Sequence, residues 1–336
     1  MNHYSNQNKP QSQSRFWSIG VVILFVIACS YWALYQVMEA ETSMRYSGLQ
    51  QVVSAKIGKT IGGMELSATN MFNEVEKNLD SPQSAMKALD SESHLNPDVR
   101  GYFAAFAPYY FKEMGQWFEP YIHQDDDGEF VMSELGPTGR DYTKSTWYIQ
   151  AEKTRQPFWC DPYYYYDGSS ISGHYCTFVK PVLDDNGQLV CVCGADITFE
   201  WINKELQRID ESCRKAEHYG NHRLMRDFDF FSVILYKDGT CIAYPSEKHI
   251  GITDTTVINR LANSETGVTE ILVDGVPSTL YYGPIESVDW SVAIVTPTSD
   301  LQKPFLYTAL LMLLLAVISL LIAWKFCKKI SYSRSV

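Results

Sequence analysis

Basic residues are scarce in this chain. Its 336 residues include 28 Lys and Arg against 39 Asp and Glu, a net charge of −11. That balance excludes a nucleic-acid partner, which needs a basic face to neutralise phosphates. Also missing is any Ser/His/Asp arrangement or carboxylate pair that would mark a catalytic centre, so no enzyme is expected. Metal patterns are equally thin. His218 and His222 stand four apart, but Gly220 between them reads as loop, and the pair as solvated. The acidic turn Asp125-Asp126-Asp127-Gly128 would need an acid at position 136 to close a calcium loop, and Gly136 stands there. It reads as a hairpin tip. Gly58-Lys59-Thr60 ends like a phosphate loop, but Val53 occupies the place of the partner glycine. No metal and no cofactor is expected. Hydrophobic residues make up 46% of the chain, so wholesale disorder is excluded.

Charge is absent altogether from two segments, Trp17–Val37 and Phe305–Trp324. Each has the ~20 apolar residues that cover a ~30 Å hydrocarbon layer. The first apolar run exceeds the ~7–15 residues of a signal-peptide core, and Ser30-Tyr31-Trp32-Ala33 makes a poor cleavage site. Both segments are therefore expected to span a membrane. The flanks set the direction: Lys9 and Arg15 before the first span, and Lys325, Lys328, Lys329 and Arg334 after the second, have no acid among them. Basic flanks stay inside. Both termini are expected in the cytoplasm of an inner (cell) membrane protein, with residues 38–304 periplasmic or otherwise extracytoplasmic. Removing the six tail bases leaves that loop 22 bases against 39 acids, a net charge of −17. The twelve residues after the second span are too few for a kinase, cyclase or phosphatase, so no output domain is expected in this chain.

Between the spans, Leu49, Val52, Val53, Ile57, Ile61, Met64, Ala68, Met71, Phe72, Val75 and Leu79 recur at steps of three and four. This predicts a rod of ~60 Å over 38–79, weakest at Gly62-Gly63 and ended by Ser81-Pro82. Strand patterns follow at Tyr102–Tyr110 and Phe130–Met132, then a short helix at Trp147–Glu152. A hairpin, His174–Val182 with Gln188–Asp196, turns at Asp184-Asp185-Asn186-Gly187. A helix from Phe199 to about Ala216 leads to Phe231–Tyr236, Thr240–Tyr244, Val268–Val273, Val276–Tyr282 and Trp290–Val295. These suit a five-stranded antiparallel sheet with one covered face. Six cysteines lie between the spans, where disulfides are permitted. Cys176 falls opposite residues 195–197 in the hairpin, so no cross-strand bridge is expected, and Cys191 and Cys193 read as small buried hydrophobes. If Asp196 faces a pocket, Gly194, Val192 and Val190 share its side, and Cys191, Cys193 and Ala195 face the long helix.

The ordered series Trp147-Tyr148, Trp159-Cys160-Asp161-Pro162-Tyr163-Tyr164, Lys180-Pro181-Val182-Leu183 and Gly194-Ala195-Asp196-Ile197 resembles the membrane-distal module of double Cache sensor domains of bacterial receptors. Phe231–Leu235 with Lys237-Asp238-Gly239, Tyr281–Ile285 and Asp289–Val295 resembles the proximal module. The resemblance implies an α+β fold: a long N-terminal helix carrying two PAS-like antiparallel-sheet modules, flanked by transmembrane helices. The expected division is 1–16 cytoplasmic tail, 17–37 first span, 38–96 stalk and connector, 97–200 distal module and 201–227 linking helix and loop. Residues 228–304 then form the proximal module, 305–324 the second span and 325–336 the second tail.

The resemblance also implies a small-molecule ligand in the distal module, of the amine or amino-acid-like kind. In the amino-acid-binding branch an Arg two places before the Trp-Tyr pair holds the carboxylate; here Ser145 stands there, with Lys144 next to it and Arg140 further back. Tyr165-Tyr166-Asp167 and Asp196 match the positions that grip an ammonium group. Asp196 either lines a pocket or caps the following helix, and Asp167 either lines it or sits in a turn with Gly168. The tyrosines at 163–166 alternate sides if extended, so two would face the pocket. The candidate site is Lys144, Trp147, Tyr148, Tyr165, Asp167, Tyr175 and Asp196. The signal is expected to pass to a separate cytoplasmic signalling protein, or within a homodimer. The rival reading is a non-sensing envelope scaffold.

Overall fold

Helix α1 (Asn8–Lys77) runs through the first apolar segment and on into the stalk without a break. The structure, a computed structural model, describes residues 8–333 apart from 126, 135–139, 167–171, 220–229, 245–249 and 251. Gly62 and Gly63 lie within α1, with open space where a side chain would stand. The helix does not break there because Ile61, Met64, Ala68, Met71, Phe72 and Val75 on its other side are buried. That burial outweighs a glycine cost of ~1 kcal/mol each. Ser81 ends the rod by capping α2 (Pro82–Glu92), its hydroxyl accepting from the Ser84 amide at 3.2 Å.

The first sheet contains β1 (Gly101–Phe106), β2 (Pro120–Gln124) and β3 (Phe130–Glu134). After α3 (Thr146–Thr154) come β4 (Phe158–Trp159), β5 (Tyr163–Tyr166), β6 (Ser172–Leu183) and β7 (Leu189–Thr198). The order is β3-β2-β1-β7-β6-β4, with β5 also on β6, and every pairing is antiparallel. Two expectations need correction. The strand expected at 102–110 stops at Phe106, because the chain turns through Tyr109 at φ 60°. Val190 packs on the α1 side rather than the Asp196 side. A register shift pairs Val182 with Cys191 and Leu183 with Leu189, and the bulge puts Val190 and Cys191 on one face. Cys176 pairs with Ile197, and all the cysteines are free.

Helix α4 (Phe199–Tyr219) leads to the second sheet, which comprises β8 (Phe231–Tyr236) and β9 (Cys241–Ala243) followed by α5 (Thr255–Ala262). It is completed by β10 (Gly267–Val273), β11 (Val276–Pro284) and β12 (Trp290–Pro297), in the order β10-β11-β12-β8-β9. It has the expected five strands, but both faces are covered. One packs on α1 through Tyr46, Ile234, Tyr281 and Ile294; the other packs on Val257 and Leu261 of α5. Asp254 starts α5 by accepting from the Thr256 amide at 2.7 Å.

Helix α6 (Thr298–Ser333) contains the second apolar segment. Trp17, Val21, Phe25, Leu313 and Ile322 on the two helices are 63–68% exposed, so no protein covers them. α1 and α6 pack side by side, with Tyr35 and Phe305 ring centroids 4.9 Å apart. Both are long and apolar enough to cross a membrane.

Candidate functional site

The face of the first sheet turned away from α1 carries the site. On β7, Asp196 pairs with Gly101 of β1 and Thr177 of β6 and is only 7% exposed. Its Oδ1 accepts from the Thr177 hydroxyl at 2.6 Å and the Tyr163 hydroxyl at 3.5 Å, and Tyr121 on β2 adds a third hydroxyl. The capping alternative fails locally: the Thr198 hydroxyl, not Asp196, receives the Trp201 amide of α4, at 3.1 Å.

Aromatic rings wall the space above Asp196. Phe103 lies flat over Gly194, its cross-strand partner, where a Cβ would come within 2.2 Å of the ring. Trp147 of α3 packs on Phe103 at 5.0 Å between centroids. Tyr163 and Tyr165 point the same way from β5, while Tyr164 between them is 61% exposed. Tyr175 stands 6.2 Å from Tyr163 and 6.4 Å from Tyr165. The Arg140 guanidinium stacks on Tyr165 at 4.7 Å and donates to the Ser145 hydroxyl at 3.4 Å. Glu119, just before β2, completes the lining. These side chains leave about 20 Å³, the room of one water.

Burial sets the electrostatics. Asp196 is pushed up to about 6 by loss of water, against the pull of its three hydroxyls and of Arg140. Glu119 is pushed up to about 7, again by burial, opposed by Arg140 and reinforced by Asp196. Desolvation also holds the Tyr121 and Tyr163 phenols well above the usual range, so both remain donors. Carboxylates beneath aromatic faces form a receptor for a cation, through ion pairing and cation–π attraction.

Of the residues singled out from sequence, the structure brings together Trp147, Tyr165, Tyr175 and Asp196. Tyr148 lies elsewhere, buried in the core beneath α3 against Tyr142. Lys144 is 82% exposed at its side chain and pairs with Asp141 at 3.1 Å. Asp167 and His222 lie outside the described residues. Phe103, Glu119, Tyr121 and Tyr163 join the site unannounced. Tyr163 was within reach of the alternation argument, and Glu119 is a lone acid in the aromatic run Trp117-Phe118-Glu119-Pro120-Tyr121.

Residues 86–204 match the family model of the methyl-accepting chemotaxis protein-like first PDC sensor domain. No curated protein matches the chain. Among solved structures, the extracellular domain of the putative histidine kinase mmHK1S-Z3 superposes with a TM-score of 0.63 at 16% identity, covering 80% of this chain and 97% of that one. The periplasmic sensory domain of the Campylobacter jejuni chemoreceptor Tlp1 gives 0.61 at 13% identity, over 80% and 99%. The ligand-binding domain of the Pseudomonas fluorescens chemoreceptor CtaA, in complex with L-leucine, gives 0.52 at 14% identity, over 79% and 99%. At these identities the likeness is one of fold. The chain thus has the fold of these extracytoplasmic sensor domains, set between two candidate membrane-spanning helices, and its residues 86–204 resemble a first PDC sensor domain.

Proposed function

We propose that this protein is a membrane-anchored, non-enzymatic sensor whose distal module binds a small amine or amino-acid-like molecule. The observation that carries the reading is Asp196, buried under aromatic walls and held by three hydroxyls in a small, partly open cavity. Residues 38–304 stand outside the membrane and both termini inside. The proposed ligand-binding residues are Trp147, Tyr163, Tyr165, Tyr175 and Asp196, and Asp167 is kept as a further candidate from the sequence match alone.

The cavity takes little more than an ammonium head, so the rest of a ligand displaces the half-buried Arg140–Tyr165 pair at its outer wall. Binding selects this opened arrangement, and only that difference in affinity drives a signal. From β5 the displacement reaches α1 and the proximal module through residues 158–163. α1 and α6 then convey it to a cytoplasmic signalling protein, or between the subunits of a homodimer. The cation site beside Asp196 favours this reading over a scaffold.

The test is calorimetric titration and thermal shift of the full chain in lipid nanodiscs against amines, amino acids, carboxylates and purines. Binding by one class, lost at least tenfold in Asp196→Asn, is the expected result. Absence of any binder sinks the reading.

A further inference from the structure

Glu119 is 2% exposed and faces the same cavity as Asp196, yet its environment differs. Asp196 is served by three hydroxyls. Glu119 Oε2 has no hydrogen-bond partner among the described residues. A buried acceptor left unmade is costly, so a folded chain keeps one chiefly where something else supplies the donor. The charged and titratable groups around Glu119 are Arg140, Asp196 and the Tyr142 phenol. Tyr142 is already spent, its hydroxyl donating to the Phe106 carbonyl at 2.6 Å and accepting from the Phe118 amide at 3.1 Å. Arg140 is engaged by the Tyr165 ring and Ser145.

Building on the ligand site assigned to this cavity, we propose that Glu119 is its second ligand-gripping carboxylate. The class it selects is a small aliphatic amine in its ammonium form, without a carboxylate of its own. Three features converge on this. The free room is that of one water, and an –NH₃⁺ head is the same size. Its three N–H donors suit two carboxylates approaching from different segments, Asp196 on β7 and Glu119 just before β2. The charge also closes: two carboxylates and one guanidinium leave a single negative charge, which a monocation neutralises. A zwitterionic amino acid leaves that charge standing and adds a third carboxylate to the pocket.

The experiment uses the full chain in lipid nanodiscs at pH 8, where both acids are ionised. Methylamine, propylamine, 2-aminoethanol and 1,4-diaminobutane are titrated beside alanine, propionate and tetramethylammonium. The expected result is that at least one primary amine binds tenfold or more tighter than alanine and than tetramethylammonium, which has no N–H. Glu119→Gln should weaken that amine by about tenfold while the protein melts no lower than wild type. The wild-type comparison alone decides the amine class, should the variant fail to fold. If alanine binds tighter than every amine, or Glu119→Gln leaves amine affinity unchanged while Asp196→Asn abolishes it, the proposal is overturned and the sensing function stands. If none of the compounds binds and amino acids, carboxylates and purines fail as well, both fall together.

Discussion

Glu119 and Asp196 show how one residue type takes its properties from its surroundings. Both are pushed up by burial, to about 7 and about 6. The protonated acid is then favoured in the folded chain, whereas in the unfolded chain Glu119 loses its proton near its ordinary 4.5. Stability is therefore highest below pH 4.5 as far as this group is concerned, and is lost as pH rises from there to 7. The full loss is about 3 kcal/mol on a shift of this size. Glu119→Gln removes it, so the variant should melt higher than wild type at pH 8 and nearly alike at pH 5, as differential scanning fluorimetry would record. An unchanged difference between the two pH values would show that Glu119 is ionised throughout. Binding of an ammonium ligand runs the other way with pH: it needs the ionised acids, so affinity should rise from pH 6 to 8. Gly194 has a different dependence, on shape alone. Gly194→Ala places a Cβ against the Phe103 ring, and should cost about 1–3 kcal/mol in thermal unfolding and remove ligand binding by displacing a wall of the cavity.

At the scale of elements, the short edge from β4 to β5 joins what would otherwise be separate parts. Trp159 donates to Glu65 of α1 at 2.6 Å and packs against Trp290 of β12 at 5.7 Å between centroids. Two residues on, Asp161 accepts from the Tyr236 hydroxyl and lies 3.8 Å from Lys237, which also pairs with Asp289 at 3.1 Å. Two further on, Tyr163 touches Thr177 and Asp196. One five-residue run thus meets the cavity, the rod and the second sheet. Trp159→Ala should destabilise by about 3 kcal/mol, and Trp159→Phe by about 1. If the Ala variant binds ligand normally but no longer shifts the reactivity of α1, this run is the route of the signal.

The elements themselves were largely legible, because burial of one face imposes a period that sequence displays. The rod, the hairpin of β6 and β7 and the five strands of the second sheet all follow that rule. The unread pieces include short ones whose period is too brief to count, the five residues of β2, the two of β4 and the eight of α5, and also the eleven-residue α2, which reads in sequence only as connector. The bulge at Val190 is invisible for a different reason, since it depends on the partner strand. In the site, positions tied to a motif or to alternation were within reach. Lys144 drew attention by adjacency in sequence, but its neighbour Asp141 holds it at the surface while Arg140 turns in.

For the whole molecule, the two exposed apolar helices are candidate membrane spans, and the sidedness proposed for them rests on the basic flanks. A cysteine at the exposed Lys87 of α2 should react with a membrane-impermeant maleimide on intact cells, above the level of the parent protein. Reaction only after lysis would place the sheets in the cytosol. Sequence by itself determined that there are two uncharged apolar segments, an acidic stretch between them, a helical rod and a series of strands, because these depend on composition and local period; the grouping of the strands into two sheets on the rod came from the resemblance to double Cache domains. Only the tertiary structure decided which charges meet. Glu119, Arg140 and Asp196 are brought to one small cavity by antiparallel pairing across β2, β1 and β7 and by the turn into α3, and no local pattern encodes a distance between residues 21 and 77 positions apart.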